Sequence, residues 1–432
     1  MIRADERPFL DAVLARPDAD SPRLVYADFL EQSGTPADAA RGELLRVQLA
    51  AENTADPTTV AVLKNREREL HERHYESWTA ALRGFVSGVV FRRGIPDVVS
   101  IPAAEFIDRG DELFELLPVR HVHLTNAAEQ LPQLVLCPYL ARVRELNLSC
   151  NDLGNGGVHV LVRSAHLKHV GALDLGFNGL DDDGVKALAA SSGLPALREL
   201  SLNDNGQVTS EGVGAVAESP FLGGLRSLDL SGNDVNDLGV RALAASRCLP
   251  ALESVKLAGN HIGDAGVAAL AASPLLARCL KHDSRLDLRK NTIGPAGAIA
   301  LAGCDAMIAA TALDLTDNYL GDRGFAGLVA SRHFGRLRVL RLAQNQITTA
   351  GVRSGAAALA RLCRQLRTLD LSGNRLTAAG VGAVAEAKGD SPVGVDVSGN
   401  VHPCPPLLMH EVMKELDALK RRVNHPSDRH EG

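Results

Sequence analysis

Hydrophobic positions recur at a nearly constant spacing along most of this 432-residue chain. The pattern Leu-x-Leu-x-x-Asn, in which valine can replace leucine, ends ten times on an asparagine: Asn151, Asn178, Asn205, Asn233, Asn260, Asn291, Asn318, Asn345, Asn374 and Asn400. Val122-His-Leu124 is a degenerate eleventh copy that lacks the asparagine. Regularly spaced copies predict a repeat architecture in which each unit buries its apolar face against its neighbours.

Each unit predicts one strand followed by a turn and a helix. The two leucines alternate at period two, so both point to one side of a short strand. The asparagine then bonds backbone groups of the turn, and stacked copies predict an asparagine ladder. Helix N-caps are expected four or five residues after the asparagine, at Asn155, Asp182, Ser210, Asp237, Asp264, Asp322 and Thr349. A glycine and an alanine-rich run such as 185–190 follow and predict the helix.

These units resemble leucine-rich repeats of the long, helix-containing subtype found in ribonuclease inhibitor and in the Ran GTPase-activating protein. The resemblance covers roughly residues 120–400. It implies an α/β solenoid, a horseshoe with a parallel sheet on its concave face and helices on its convex face. Ten or eleven strands about 4.8 Å apart imply an inner arc of about 45 to 50 Å, which suits a protein partner better than a metabolite.

Three short helices are predicted within residues 6–50 from apolar residues at helical spacing. Pro22-Arg-Leu-Val-Tyr-Ala-Asp-Phe-Leu-Glu-Gln-Ser-Gly and Arg41-Gly-Glu-Leu-Leu-Arg-Val-Gln are similar to the repeat-companion domain of planctomycete-type bacteria. The chain departs from that family at Phe29, where tryptophan is usual, and in an insertion between Pro36 and Arg41. This resemblance implies a bacterial source and an all-α module without a biochemical activity.

The remaining boundaries follow from changes in pattern along the chain. A charged linking helix is predicted in residues 51–84, and β-rich runs in 85–120 predict a cap over the first repeat. The repeat domain itself is expected to cover residues 121–402. In residues 403–432, a second cap is predicted as a helix over 407–423 and a disordered tail over 424–432.

Composition supports this division and excludes several classes of protein. Only 15 residues are aromatic, and ten of them precede residue 140, because layers of leucine, alanine and glycine leave no room for large rings. Seven scattered cysteines favour a reducing, cytoplasmic location, and the sequence lacks an apolar run long enough for a membrane span. A net charge of −6 gives no general attraction to nucleic acid. Neither a cofactor nor a metal is predicted, and residue spacing assembles no catalytic group.

The residue between the two leucines of each strand is the candidate partner-binding position. It is aspartate in six of the ten copies, with two cations between them: Asp174, Asp229, Asp287, Asp314, Asp370 and Asp396, and Lys256 and Arg341. Carboxylates aligned at strand spacing repel one another unless cations compensate, so the pattern predicts an acidic face for a basic partner. The alternative interpretation is that aspartate is simply usual at this position of such repeats.

A second candidate surface is the tract between Asp322 and Asp370, which holds nine arginines and no acidic residue. Its candidate anion-binding residues are Arg336, Arg338, Arg361, Arg364 and Arg367. Guanidinium groups bind carboxylate and phosphate groups bidentately. The alternative is a set of solvated arginines spread over strand, loop and helix positions. The tract also lacks interleaved aromatic residues, which disfavours nucleic acid.

These observations predict a cytoplasmic, non-enzymatic scaffold whose concave strand face binds another protein. The first alternative is regulation of an enzyme or GTPase, as an inhibitor or in the manner of a GTPase-activating protein. The second alternative is anion or nucleic-acid binding through residues Arg323–Arg367.

Overall fold

The computed structural model describes residues 5–16, 19–32 and 35–400. The chain divides into two compact units. Unit 1 comprises Met1–Leu180 and Ala187–Ser201, and unit 2 comprises Asp181–Lys186 and Leu202–Gly432. The predicted C-terminal helix and tail lie outside the described residues.

Unit 1 begins with helices, as the apolar spacing predicted: α1 Arg7–Ala15, α2 Asp20–Gln32, α3 Pro36–Asn53 and α4 Pro57–Trp78. Helix α3 starts where the Thr35 hydroxyl accepts the Asp38 N–H at 3.1 Å. Helix α4 starts where the Asp56 carboxylate accepts the Thr59 N–H at 2.9 Å. Both helices have proline in the first turn, where the missing N–H costs nothing.

A polar cluster lies inside this helical segment. Tyr26 Oη donates to Glu6 Oε2 at 2.8 Å, and the Arg41 guanidinium donates to Glu6 and, at 2.6 Å, to Tyr26 Oη. Glu6 is 1 % exposed, so its charge depends on Arg41 for compensation. Burial raises the pKa of Tyr26, which keeps this phenol neutral.

Two strands and one helix connect the helical segment to the first repeat. Strand β1 Gly88–Arg92 pairs antiparallel with β2 Ile95–Pro102, and β2 pairs parallel with β3 His121–Thr125. The β-rich runs therefore form strands. Helix α5 Ala103–Leu116, which buries Phe106 and Phe114, was missed in the sequence.

The repeats follow as short parallel strands, each leading to a helix. Unit 1 continues with β4 Glu145–Asn147, β5 Ala172–Asp174 and β6 Glu199–Ser201. Unit 2 contains the β7–β8 pair and the five strands β9–β13: β7 Ser227–Asp229, β8 Ser254–Lys256, β9 Arg285–Asp287, β10 Ala312–Asp314, β11 Val339–Arg341, β12 Thr368–Asp370 and β13 Gly394–Asp396. The degenerate eleventh copy is confirmed, because Val122 in β3 lies opposite Leu146 in β4.

The helices that alternate with these strands are short. They are α6 Leu131–Leu134, α7 Gly154–Leu161, α8 Asp182–Ala189, α9 Ser210–Ala217, α10 Asp237–Ala245, α11 Asp264–Ala271, α12 Pro274–His282, α13 Pro295–Ala302, α14 Gly321–Val329, α15 Thr349–Cys363 and α16 Ala378–Lys388. Leucines at the predicted strand positions, such as Leu146, Leu313 and Leu369, are at most 1 % exposed. The core is therefore a stack of leucines between strands and helices.

The predicted asparagine ladder is confirmed. Each of the ten asparagines is at most 6 % exposed. Asn318 is typical, since its Nδ2 donates to the carbonyls of Leu288 and Leu315 at 3.0 and 3.1 Å and its Oδ1 accepts the Ile293 N–H at 3.0 Å. The side chain thus satisfies buried backbone groups in its own repeat and in the preceding one.

The predicted N-caps are wrong where the structure shows a capping hydrogen bond. In α9, α10 and α15 the cap is the preceding residue: Thr209, Asn236 and Thr348 accept the N–H two residues ahead at 2.9 to 3.1 Å. The aspartates instead serve the next repeat. Asp182 Oδ1 accepts the N–H groups of Thr209 and Gly212, at 2.8 and 2.9 Å. The carboxylate is stabilised by the N–H groups and the dipole at the start of the next helix. The sequence of a single repeat does not show this contact.

This contact also accounts for the glycine near the starts of α9, α11, α13 and α15. A Cβ at Gly212 would lie 2.6 Å from Asp182 Oδ1, and one at Gly297 would lie 2.8 Å from Asp264 Oδ1. Such distances are far inside van der Waals contact. The glycine therefore makes room for the aspartate of the preceding repeat.

Candidate functional site

In each unit, the residues of β3–β13 that alternate with the core leucines form what we call the strand face of that unit. They alternate with the buried leucines, as Glu145 and Asn147 do on either side of Leu146. Backbone pairing between strands fixes the positions of these residues. Binding residues on strands are held more precisely than binding residues on loops.

All the predicted partner-binding residues lie on this face as the last residue of their strands: Asp174, Asp229, Lys256, Asp287, Asp314, Arg341, Asp370 and Asp396. Adjacent strands place them side by side in register. Asp314 thus lies between Asp287 and Arg341, and Asp370 lies opposite Asp396.

Each of these aspartates has a local backbone role. Its Oδ1 accepts the N–H two residues ahead, at 2.9 Å from Gly176 to Asp174 and at 3.0 Å from Ser231 to Asp229. Asn147, at the same position, accepts the Ser149 N–H at 2.8 Å. Short polar side chains that form such turns are favoured where a strand ends. The frequency of aspartate therefore has a structural cause that is independent of any partner.

In unit 2, cations on the same face compensate several of these charges. Lys256 lies 2.9 Å from Asp229, Arg341 lies 3.6 Å from Asp314, and Arg289 lies 3.3 Å from Asp287. Burial raises the pKa of Asp287. Three of the five aspartates in the unit 2 row, Asp229, Asp287 and Asp314, thus have a cation within 4 Å.

In unit 1 the strand face is different. Strands β3–β6 contain no lysine or arginine, and they display Glu145, Asp174 and Glu199. His121 lies between Asp97 on β2 and Glu145, 3.1 Å from each, and Arg92 lies 3.3 Å from Asp97. The hydrogen bond to Asp97 raises the pKa of His121, and burial raises that of Glu145.

Sequence reasoning missed Glu145 and Glu199 because it considered only the residue between the two leucines. Period-two alternation places the residue before the first leucine on the same face. This rule would have identified both glutamates in Glu145-Leu146-Asn147 and Glu199-Leu200-Ser201.

The family profile described as "Leucine Rich repeat" matches seven segments of this chain: 143–162, 166–189, 194–217, 225–244, 249–271, 284–302 and 362–385. These seven segments are leucine-rich repeats. Their fold is a leucine-rich repeat solenoid with a parallel sheet and helices, preceded by the helical segment α1–α4. No curated protein matches the chain.

Three solved structures are similar to the chain at low identity. The internalin InlF of Listeria monocytogenes is 19 % identical with a TM-score of 0.38, over 63 % of this chain and 79 % of the internalin. A TDR receptor is 17 % identical with a TM-score of 0.37, over 62 % of this chain and 45 % of the receptor. The leucine-rich repeat domain of APL1 is 15 % identical with a TM-score of 0.36, over 65 % of this chain and 62 % of that domain.

The predicted anion-binding arginines lie where helices of two successive leucine-rich repeats lead into strands. Arg336 and Arg338 precede β11, Arg361 is in the last turn of α15, Arg364 follows it, and Arg367 precedes β12. Of these five residues, Arg338 and Arg367 lie side by side, since the Arg367 N–H donates to the Arg338 carbonyl at 2.7 Å.

The described residues give no sign of two other kinds of site. None of the helices they form is both long and apolar enough to span a membrane. Across the same residues, histidine, cysteine, aspartate and glutamate side chains form no group of three that could hold a metal ion.

Proposed function

We propose that this protein is a non-enzymatic interaction scaffold whose strand face in unit 1 binds a lysine- or arginine-bearing segment of a partner protein. The observation that carries the proposal is the contrast between the two units. The unit 1 face presents Glu145, Asp174 and Glu199 without a lysine or arginine in β3–β6, whereas the unit 2 strands supply Lys256 to Asp229 and Arg341 to Asp314. We call these three residues the acidic strand face.

The geometry of the acidic strand face favours a polypeptide ligand. Its carboxylates stand on three strands in parallel register, so they span about 10 Å at about 4.8 Å per strand. Glu199 is close enough to Glu145 to contribute to its raised pKa, and a bound cation would relieve this repulsion. Complementary charge of this kind increases association rate and selects among partners.

We also propose four finer properties that the sequence suggests. They are the ribonuclease-inhibitor-like subtype, the companion module at the N-terminus, a cytoplasmic location and the regulation of an enzyme or GTPase. A regulatory role requires a partner that docks on the repeats, so it depends on the binding proposed here.

Peptide binding to the full-length chain tests this function. A labelled lysine-rich peptide should bind in fluorescence anisotropy, and its glutamine counterpart should not. The triple variant Glu145→Gln, Asp174→Asn and Glu199→Gln should bind about ten-fold more weakly, since each exposed ion pair contributes about 0.5 kcal/mol. Asn147 shows that an amide keeps the turn at this position, so the variant should fold.

The matched control is the unit 2 variant Asp229→Asn with Asp314→Asn, whose charges are already paired with Lys256 and Arg341. It should bind the lysine-rich peptide as the natural chain does. Equal losses in both variants, or no binding by the natural chain at low salt, would refute the proposal.

A further inference from the structure

Two neighbouring leucine-rich repeats join a group of arginines into one surface, which we call the arginine edge: Arg336, Arg338, Arg361, Arg364 and Arg367. Three contacts hold their loops side by side. Arg361 Nη2 donates to the Ala330 carbonyl at 3.2 Å, Gln365 Nε2 donates to the Phe334 carbonyl, and the Arg367 N–H donates to the Arg338 carbonyl at 2.7 Å. The surface is therefore continuous across both repeats.

The charge of the arginine edge is not compensated within the part of the chain that the structure describes. There, no carboxylate lies within 4 Å of any of its five guanidinium groups. Asp305, on the preceding repeat, contacts His333 at 3.4 Å instead. Arg338 and Arg367 are neighbours at the strand spacing of about 4.8 Å, where like charges destabilise each other. Such a group is unexpected in a chain with a net charge of −6.

Local structure explains only two of the five side chains. Arg361 satisfies the Ala330 carbonyl at the end of α14, and Arg338 Nη1 donates to the Leu337 carbonyl at 3.0 Å. Arg336, Arg364 and Arg367 are exposed, and their guanidinium groups make no hydrogen bond to any described residue. Their donors are available to a ligand.

We propose that the arginine edge binds an acidic segment of a polypeptide. Guanidinium groups match carboxylates bidentately, and carboxylates on alternate residues of an extended chain lie about 7 Å apart, within reach of adjacent arginines. Single-stranded nucleic acid needs exposed rings on which bases stack. The ring residues of these loops, His333 and Phe334, are 7 % and 1 % exposed, so the surface fits a peptide better. This surface is separate from the acidic strand face and does not depend on it.

Anisotropy with the full-length chain tests this inference with three probes: an oligoglutamate peptide, its oligoglutamine counterpart and a single-stranded oligothymidylate. The oligoglutamate peptide should bind, and its affinity should fall as salt is added. The double variant Arg364→Ser and Arg367→Ser should bind it about five-fold more weakly, as expected for two exposed ion pairs. These arginines support no backbone carbonyl, so the variant should keep the thermal melt of the natural chain.

Arg241→Ser is the matched control, because Arg241 is exposed on α10 in the same unit. It should leave oligoglutamate affinity unchanged. Absence of oligoglutamate binding at low salt, or equal affinity in the double variant, would overturn the inference. Tighter binding of oligothymidylate than of oligoglutamate would also overturn it and assign the surface to nucleic acid.

Discussion

Left-handed backbone recurs at one residue of the repeat, directly before the buried asparagine. Glycine occupies this position at Gly232, Gly259, Gly373 and Gly399, where φ is 62 to 69°. Phe177 occupies it with a φ of 55° and is 52 % exposed. A bulky side chain pays about 1–2 kcal/mol for this conformation. Phe177 is thus both strained and exposed.

Replacement of Phe177 by glycine separates the effect of backbone strain from the effect of side-chain packing on stability. Phe221 is the matched control, because it is 46 % exposed and is not left-handed. Both glycine variants lose a half-buried ring, but only Phe177→Gly relieves the backbone. Phe177→Gly should therefore destabilise the chain by about 1–2 kcal/mol less than Phe221→Gly, measured by urea unfolding. Equal losses would show that position 177 is unstrained.

A carboxylate of one repeat can cap the helix of the next repeat. Helix α13 begins after Gly294, which has no capping side chain. Asp264 of the preceding repeat replaces it, since its Oδ1 accepts the N–H groups of Gly294 and Gly297 at 2.8 and 2.6 Å. The start of α13 is therefore stabilised by a residue of the preceding repeat.

Asp264→Ala should lower the free energy of unfolding by about 1–2 kcal/mol, the usual effect of losing a helix cap. Asp264→Asn keeps the acceptor oxygen and should cost less. Asp305→Ala is the control, because its side chain is 92 % exposed and should change stability by less than about 0.5 kcal/mol. Urea denaturation measures all three. An Asp264→Ala variant as stable as the Asp305→Ala variant would contradict the inter-repeat cap.

The strands and the asparagine ladder were predictable because each depends on residues within one repeat. The N-caps were misplaced because the donor that the Asp182 carboxylate binds lies 27 residues ahead, at the Thr209 N–H. Helix α5 was missed because its residues stand between β-rich runs, and Arg109 interrupts it with non-helical angles. Compensation of Asp229 by Lys256 depends on the register between strands, which single-repeat patterns do not contain.

At the scale of the whole molecule, stability is the sum of contacts between nearest neighbours. Asn318→Ala removes two hydrogen bonds to the preceding repeat, with Leu288 and Ile293, and one to Leu315 in its own repeat. We expect a loss of about 2–4 kcal/mol, because the freed backbone groups are buried. Hydrogen exchange should accelerate in β9 and β10 and stay unchanged in α2 and α3. Faster exchange throughout the chain would contradict nearest-neighbour stability.

The aspartate of one repeat and the glycine of the next form a joint at four places: Asp182–Gly212, Asp237–Gly266, Asp264–Gly297 and Asp322–Gly351. A copied repeat supplies the oxygen for its successor and the space for its predecessor. The array can therefore grow or shrink by whole units without any new interface having to arise, provided that both halves of the joint are inherited together. A change in the number of repeats should therefore cost little stability. A single substitution at a joint, such as one at Gly297, should be strongly destabilising.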